Sequence, residues 1–321
     1  MIDKLKSIFM IPELRQRILF TIGVLIVVRI GAHIPIPGVN GETLAEAFTD
    51  MKTGLFGLFN TFVGGAFEKA SLFSLGIMPY ISSSIIIQLM GSVVPYFQRL
   101  QKEGEAGRKK INQITRYGTV LLSTMQSYGV VAVFLPSLNS NGVPVVPNPG
   151  WVFIFTGIIS MVTGTLFLMW LGERITERGI GNGISLIIMV GIVAAFPNVI
   201  LNEVTLLREN VRGWLSEFVL MGIMFGIICF VVLLTQGTRK IPVQYAKRVV
   251  GRKVYGGQNT HIPMRVNTAG VMPIIFAQSI MFIPSTLSTF LGDSDFSVML
   301  MGWFSFEHPF YWTVFGLMII F

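Results

Sequence analysis

Apolar residues run continuously for about twenty positions at a time, at 18–36, 74–95, 116–136, 151–172, 182–200, 214–235 and 269–290, and an eighth run opens near 310. A helix of that length rises about 30 Å, the thickness of the hydrocarbon core of a bilayer. Barrel strands would instead alternate polar and apolar residues over about ten positions, a pattern these runs lack. The spacing predicts an all-α polytopic membrane protein with seven spans and the start of an eighth. Phe321 closes the chain roughly twelve residues into that last run, short of a crossing, which predicts a fragment of a longer protein.

Composition agrees with this picture. Only 12% of the 321 residues are charged and 52% are hydrophobic, against roughly 25% charged in soluble domains. The first twenty residues do not follow the order of charged start, short apolar centre and small-residue cleavage site, so no cleavable signal peptide is expected. The single cysteine, Cys229, lies in an apolar run and leaves no intrachain disulfide to form.

Charge sets the orientation. With the N-terminus inside, the inner segments carry Lys4, Lys6, Arg15 and Arg17; Arg99, Lys102, Arg108, Lys109, Lys110 and Arg116; Arg174 and Arg178; and Arg239, Lys240, Lys247, Arg248, Arg252, Lys253 and Arg265, which are 19 of the 24 basic residues. The outer segments hold Lys52, Lys69, Arg208 and Arg212 and most of the acids, among them Glu42, Glu46, Asp50, Glu203, Glu209, Asp293, Asp295 and Glu307. The positive-inside rule therefore places the N-terminus in the cytoplasm.

Residues 59–73, FNTFVGGAFEKASLF, fall at the outer end of the second run. Gly64 and Gly65 weaken a helix there, and Glu68 and Lys69 put charge in its second half, so the stretch neither spans nor dissolves. Physics leaves two readings open: a short helix packed into a protein cavity, or an interfacial helix with its phenylalanines in the outer leaflet.

On the inner side, segment 236–266 reads QGTRKIPVQYAKRVVGRKVYGGQNTHIPMRV, with seven basic residues and no acid. It is far longer than a helical hairpin needs. The sub-runs IPVQYAKRVV and GRKVYGG alternate β-branched or aromatic residues with polar ones, which predicts a small hairpin in the cytoplasm. Such a charge favours an anionic partner, whether ribosomal RNA, an acidic protein face or anionic lipid; the alternative is a bare orientation signal. The other basic inner segment, 98–116, QRLQKEGEAGRKKINQITR, is shorter and supports either reading.

Within the spans, GIMPYISSSIIIQLM places Ile81 and Ile85 on one helical face, with Ser82, Ser83, Ser84 and Gln88 around them. Interhelical hydrogen bonding by those polar groups is the simplest reading. GIGNGISLIIMVGI opens the fifth span with a glycine turn at Gly179, Gly181 and Gly183, and repeats the spacing at Ile184 and Ile188; it lacks the order of a dinucleotide fingerprint. Pro273 and Pro284 bracket the seventh span and predict a loosened helix. His33, His261 and His308 lie in separate segments, and neither a zincin motif nor a phosphate loop occurs, so no metal, nucleotide cofactor or catalytic residue is expected. A carrier driven by ion coupling would place an acid at mid-membrane, whereas the only charge well inside a run is Arg29, toward the outer part of the first. An intramembrane serine protease lacks a base beside its serine.

Five stretches, RIGAHIPIPG at 29–38, LFNTFVGGAFEKASLFSLGIMPYISSSIIIQLM at 58–90, EGEAGRKKINQITRYGT at 103–119, GTLFLMWLGERITERGIGNGIS at 164–185 and YAKRVVGRKVYGGQNTHIPMRVNTAGVMPIIFA at 245–277, together closely resemble the SecY family of protein-conducting channel subunits. They occur in family order and cover nearly the whole chain. The resemblance implies a helical bundle of two inverted halves. Residues 1–17 are then a cytoplasmic segment, 18–212 the first half with spans one to five, and 213–321 an incomplete second half with spans six to eight.

The same resemblance implies the parts of a channel. A plug at about 57–73, including Phe59, Asn60, Thr61, Phe62, Val63, Gly64, Gly65, Ala66 and Phe67, would close the pore from outside as a short, easily displaced helix. Ile81, Ile85, Ile184, Ile188 and Ile275 match a ring at the waist of the pore, an apolar collar that seals by dewetting. The second and seventh spans would form much of a lateral gate through which apolar segments leave into lipid, with Gln88 and Gln278 as polar contacts across it. Arg239, Lys240, Lys247, Arg248, Arg252 and Lys253 would dock the ribosome, through its RNA and protein at the exit site, or the motor ATPase SecA. Further implied partners are SecE, SecG, signal sequences, nascent chains and membrane lipids, in the cytoplasmic membrane of a bacterium, with no enzyme activity of the subunit's own. The competing class is a small-solute carrier on inverted repeats, which predicts a saturable site and a buried coupling group.

Overall fold

The computed structural model describes residues 10–49, 55–140, 142–209, 213–243, 248–250, 253–255, 260–267 and 308–320, with isolated positions between 270 and 305. The chain divides into two compact units, 1–198 with 276–321, and 199–275.

In the first unit, α1 (Pro12–Gly31) starts with proline in its first turn, where a missing N–H costs nothing, and Glu13 there complements the helix dipole. A short helix α2 (Gly41–Thr49) and another, α3 (Leu55–Phe62), precede α4 (Met78–Val93). Pro95 ends α4 by forcing Val94 into an extended conformation, then opens α5 (Pro95–Lys102). After a turn at Gly104, α6 (Glu105–Tyr128) continues through a π-turn at Gly129–Phe134 to Ser137. The paired strands β1 (Asn139–Ser140) and β2 (Val143–Pro144) lead to α7 (Trp151–Arg178), α8 (Gly183–Ala194) and α9 (Phe196–Arg208). Segment 98–116, read as an inner loop, is instead helical over most of its length. Its Arg, Lys and Gln residues favour helix, and Glu105 sits in the first turn of α6.

Among the described residues, four helical segments are long and apolar enough to cross a membrane, Glu105–Ser137, Trp151–Arg178, Gly183–Arg208 and Trp214–Gln236, and the broken pair Met78–Gly91 with Pro95–Lys102 makes a fifth. The first expected span is α1, whose 20 residues also carry Glu13, Arg15, Arg17 and Arg29. The eighth begins as α11 (Pro309–Ile320). The seventh, 269–290, lies mostly outside the described residues, and its proline reading with it.

Small residues set the packing of α4 and α7 on α6. Thr115, Thr119, Ser123 and Ser127 recur every fourth residue, all buried, and satisfy their hydroxyls on the carbonyls of their own helix. Ser83 Oγ on α4 donates to the Thr115 carbonyl at 2.8 Å, the interhelical bond expected of this serine cluster. Ser82 and Ser84 are half-buried and Gln88 is exposed. At the opposite end from α2, Arg116 grips Glu173 with two hydrogen bonds, 3.2 and 2.7 Å, between α6 and α7.

The second unit contains α10 (Trp214–Gln236), apolar on every side and without a buried residue, as suits a helix whose surroundings are lipid or another chain. It leads into β3 (Thr238–Val243), which pairs antiparallel with β6 (Thr260–Arg265), while β4 (Arg248–Val250) pairs with β5 (Lys253–Tyr255). The expected hairpin is therefore present with two ladders instead of one. The sub-run IPVQYAKRVV is split between β3 and β4.

Candidate functional site

The segment expected to be a plug is not one helix. Helix α3 ends at Phe62 because Gly64 and Gly65 both take positive φ, +71° and +79°, a conformation that costs glycine nothing and stops a helix. Turns then carry the chain from Val63 to Ile77. Asn60 staples the two parts: its side chain donates to Glu68 Oε2 and accepts from the Glu68 backbone N–H, both at 3.1 Å. Glu68 is thus half-buried and bonded, while Lys69 remains exposed.

This segment packs into protein, which decides between the two readings of its surroundings. Phe59, Ala66, Phe67 and Ala70 are all at most 4% exposed. Phe67 lies at the centre of an aromatic cluster, edge-on to Phe48 of α2 at 5.4 Å and to Phe59 at 5.1 Å, and stacked on Phe134 of the π-turn at 5.7 Å. Burying each such ring contributes about 1.5–3 kcal/mol, and each aromatic pair about 0.5–1.5 kcal/mol more. Residues 66–72 are further tied to 34–36, with Ile36 N–H donating to Ala70 O and Leu72 N–H to Ile34 O, both at 2.9 Å. Behind this strap, α2 and the β1–β2 turn close the same end of the bundle, with Leu44, Phe48, Val145 and Val146 buried and Ser140 Oγ donating to Glu46 at 3.1 Å.

The first half of the segment is held differently, by fit. Gly64 and Gly191 of α8 meet backbone to backbone: a Cβ on Gly64 would lie 2.8 Å from Gly191 Cα, and one on Gly191 2.8 Å from the Phe62 carbonyl oxygen. No side chain fits between them. Arg29 Nη1, near the end of α1, donates to the Gly64 carbonyl at 3.1 Å. Beside this contact lies a cavity of about 40 Å³, bordered by Arg29, Phe62, Val63, Ile77, Ile188 and Gly191 among others. That is room for about one water.

The structure brings one candidate ring residue, Ile188, to the cavity under Phe62 and Val63. Ile81 and Ile85 are buried one turn apart on α4, at 8% and 5% exposure, while Ile184 and Ile188 are half-buried on α8. Ile275 lies outside the described residues. Gln278 is half-buried, and among the described residues no hydrogen bond joins it to Gln88. Arg239 and Lys240 are exposed on β3; Arg248 and Lys253 stand on β4 and β5; Lys247 and Arg252 lie outside the described residues. Among the described residues no group of three or more His, Cys, Asp or Glu side chains is placed to hold a metal ion.

Sequence reasoning missed Phe48, Phe134, Gly191 and the Asn60–Glu68 clamp. Arg29 stood out as a lone charge, but its acceptor, 35 residues away, did not.

The SecY family model matches residues 71–321. The chain belongs to the SecY family. It is 50% identical over 281 residues to the protein translocase subunit SecY of Buchnera aphidicola subsp. Acyrthosiphon kondoi, covering 87% of this chain and 78% of that protein. It is likewise 50% identical over 280 residues to the subunit of the same name from Escherichia coli strain K12, covering 87% of this chain and 63% of that one. The chain thus spans under two thirds of the length of the second relative. Its fold is that of a solved protein-conducting channel, with a TM-score of 0.60 at 17% identity over 89% of this chain and 59% of that one. A SecY structure in which the plug domain is described as stabilising the closed state and maintaining a membrane seal matches with a TM-score of 0.62, again at 17% identity over 89% and 59%. A Sec61 structure from a canine ribosome–channel complex matches with a TM-score of 0.58.

Proposed function

We propose that this chain is the larger part of the channel-forming subunit of a bacterial protein translocase, which conducts unfolded secretory polypeptides across the cytoplasmic membrane and releases membrane spans sideways into lipid. The observation that carries this reading is the buried segment 55–76, seated by the Gly64–Gly191 contact over a cavity that Ile188 borders. A bundle that devotes a broken, non-spanning segment to closing one of its ends has the construction of a plugged passage. The names of the relatives, protein translocase subunits, support the same reading.

In this reading the segment is the plug, and Ile81, Ile85, Ile184, Ile188 and Ile275 form the dewetted collar beneath it. The N-terminus and the hairpin 236–266 are cytoplasmic, and Arg239, Lys240, Lys247, Arg248, Arg252 and Lys253 dock the ribosome or SecA. Gln88 and Gln278 line the lateral gate. Residues 18–212 and 213–321 belong to two inverted halves, the second completed by the remainder of the longer subunit, with SecE and SecG beside them. The partners supply the energy, and the subunit itself catalyses nothing.

The test uses the full-length protein with its partner subunits, carrying a photo-crosslinking residue at position 85 or at position 275, challenged with a stalled secretory chain. Crosslinks from both positions to the stalled chain are expected. No crosslink from either, with the chain demonstrably engaged, contradicts the channel assignment.

A further inference from the structure

Arg29 lies near the end of an apolar helix and bonds to a neutral main-chain group: its Nη1 donates to the Gly64 carbonyl at 3.1 Å. Among the described residues no carboxylate stands within ion-pair distance of it. A guanidinium offers five donors, and this carbonyl takes one. The guanidinium also borders the cavity of about 40 Å³ that Ile188 borders, so the cation and the collar residue share one space under Phe62 and Val63.

We propose that Arg29 is a binding site for backbone carbonyl groups, occupied by the plug at rest and by the passing polypeptide during translocation. The inference rests on the translocase reading above. Its acceptor lies at a glycine, so nothing in the contact depends on a side chain. Any extended polypeptide presents the same acceptor, with one carbonyl about every 3.3 Å. Exchanging the plug's carbonyl for a carbonyl of the substrate keeps the buried cation bonded throughout. A carboxylate partner would not allow this, because leaving it would strand two uncompensated charges in a low-dielectric site.

The anchoring of the segment fits the exchange. Residues 66–72 are held by main-chain bonds to 34–36 and by the ring cluster around Phe67. Residues before Gly65 are held by the clamp from Asn60, the glycine contact and Arg29. The movable part is therefore α3 through Gly64, turning about Gly65, and the Arg29 bond sits at its tip.

Two measurements on the full-length protein with its partner subunits test the proposal. In sealed vesicles without substrate, Arg29→Met is expected to raise resting permeability to small anions about tenfold over wild type, with Arg29→Lys restoring most of the seal. With a stalled secretory chain engaged, a photo-crosslinking residue at position 29 is expected to capture that chain. Unchanged permeability in Arg29→Met overturns the proposal. So does capture of the stalled chain from position 85 but not from position 29. Capture from neither position overturns the translocase reading itself.

Discussion

Segment 55–76 and hairpin 238–265 both interrupt the membrane runs with mixed polar and apolar residues, yet they are built in opposite ways. The first is closed on itself and on its neighbours: Phe59, Ala66 and Phe67 are at most 4% exposed, and Gly64 touches Gly191 with no room for a Cβ. The second is open. Ile241, Ile262 and Met264 are 39%, 54% and 50% exposed, and the ladder register sets Lys240 beside Pro263 and Arg265 beside Thr238. One region works by shape and the other by charge, so they should fail under different insults.

The largest contrast is expected between two glycines. Gly191→Val pushes a branched side chain into the Phe62 carbonyl and should raise resting ion conductance of the full-length channel by about tenfold or more, through the overpacking that displaces the plug. Gly222→Val on α10 meets nothing within 4 Å and should leave conductance unchanged. Planar-bilayer recordings of both variants check the pair, and equal behaviour would erase the distinction between the two regions.

A second comparison concerns stability. Phe67→Ala removes the centre of the ring cluster and should cost about 3–5 kcal/mol, read as a lowered thermal midpoint in detergent. Ile241→Ala, on the exposed hairpin, should stay within about 0.5 kcal/mol. Between these lies Asn60→Ala, which strands the Glu68 backbone N–H and should cost about 1–3 kcal/mol in the same assay.

The smallest effect per residue belongs to the hairpin's charges. Changing Arg239, Lys240, Arg248 and Lys253 together to Gln should weaken docking of ribosomes or SecA severalfold at low salt, with the difference shrinking as the Debye length falls from about 30 Å at 0.01 M to about 3 Å at 1 M. A loss of equal size at every salt concentration would assign the hairpin's role to shape after all.

What was legible beforehand follows the same division. The spans, their sidedness and the basic hairpin were readable because bilayer thickness and charge act locally on the chain, as at Trp214–Gln236 and at Arg239 and Lys240. Helix 105–116 was read as loop because its charge outweighed its helix propensity. The plug's place was legible only through family resemblance, and its conformation was not. Gly64 and Gly65 read as a weakened helix, whereas they end α3. Their reason lies at Gly191 and Arg29, 127 and 35 residues from Gly64, and Phe67 finds its partners at Phe48 and Phe134. Fit between distant surfaces leaves no periodic trace in a sequence. The broken helix at Pro95 and the π-turn at Gly129–Phe134 shape the bundle locally, yet only the proline announces itself.

The account's central claim is that a seated segment closes the passage at rest and leaves its seat when a polypeptide arrives. The most direct measurement is the alkylation rate of Val63→Cys, in a Cys229→Ser background of the full-length protein, by a membrane-impermeant maleimide added from the outer side. Val63 borders the cavity beside Arg29 and Ile188 and is half-buried. The rate should be low at rest and rise about tenfold or more once a stalled secretory chain is engaged, the size expected when a protected site opens. The same rate in both states would contradict the account, because the segment would then be a fixed wall of the bundle instead of its plug.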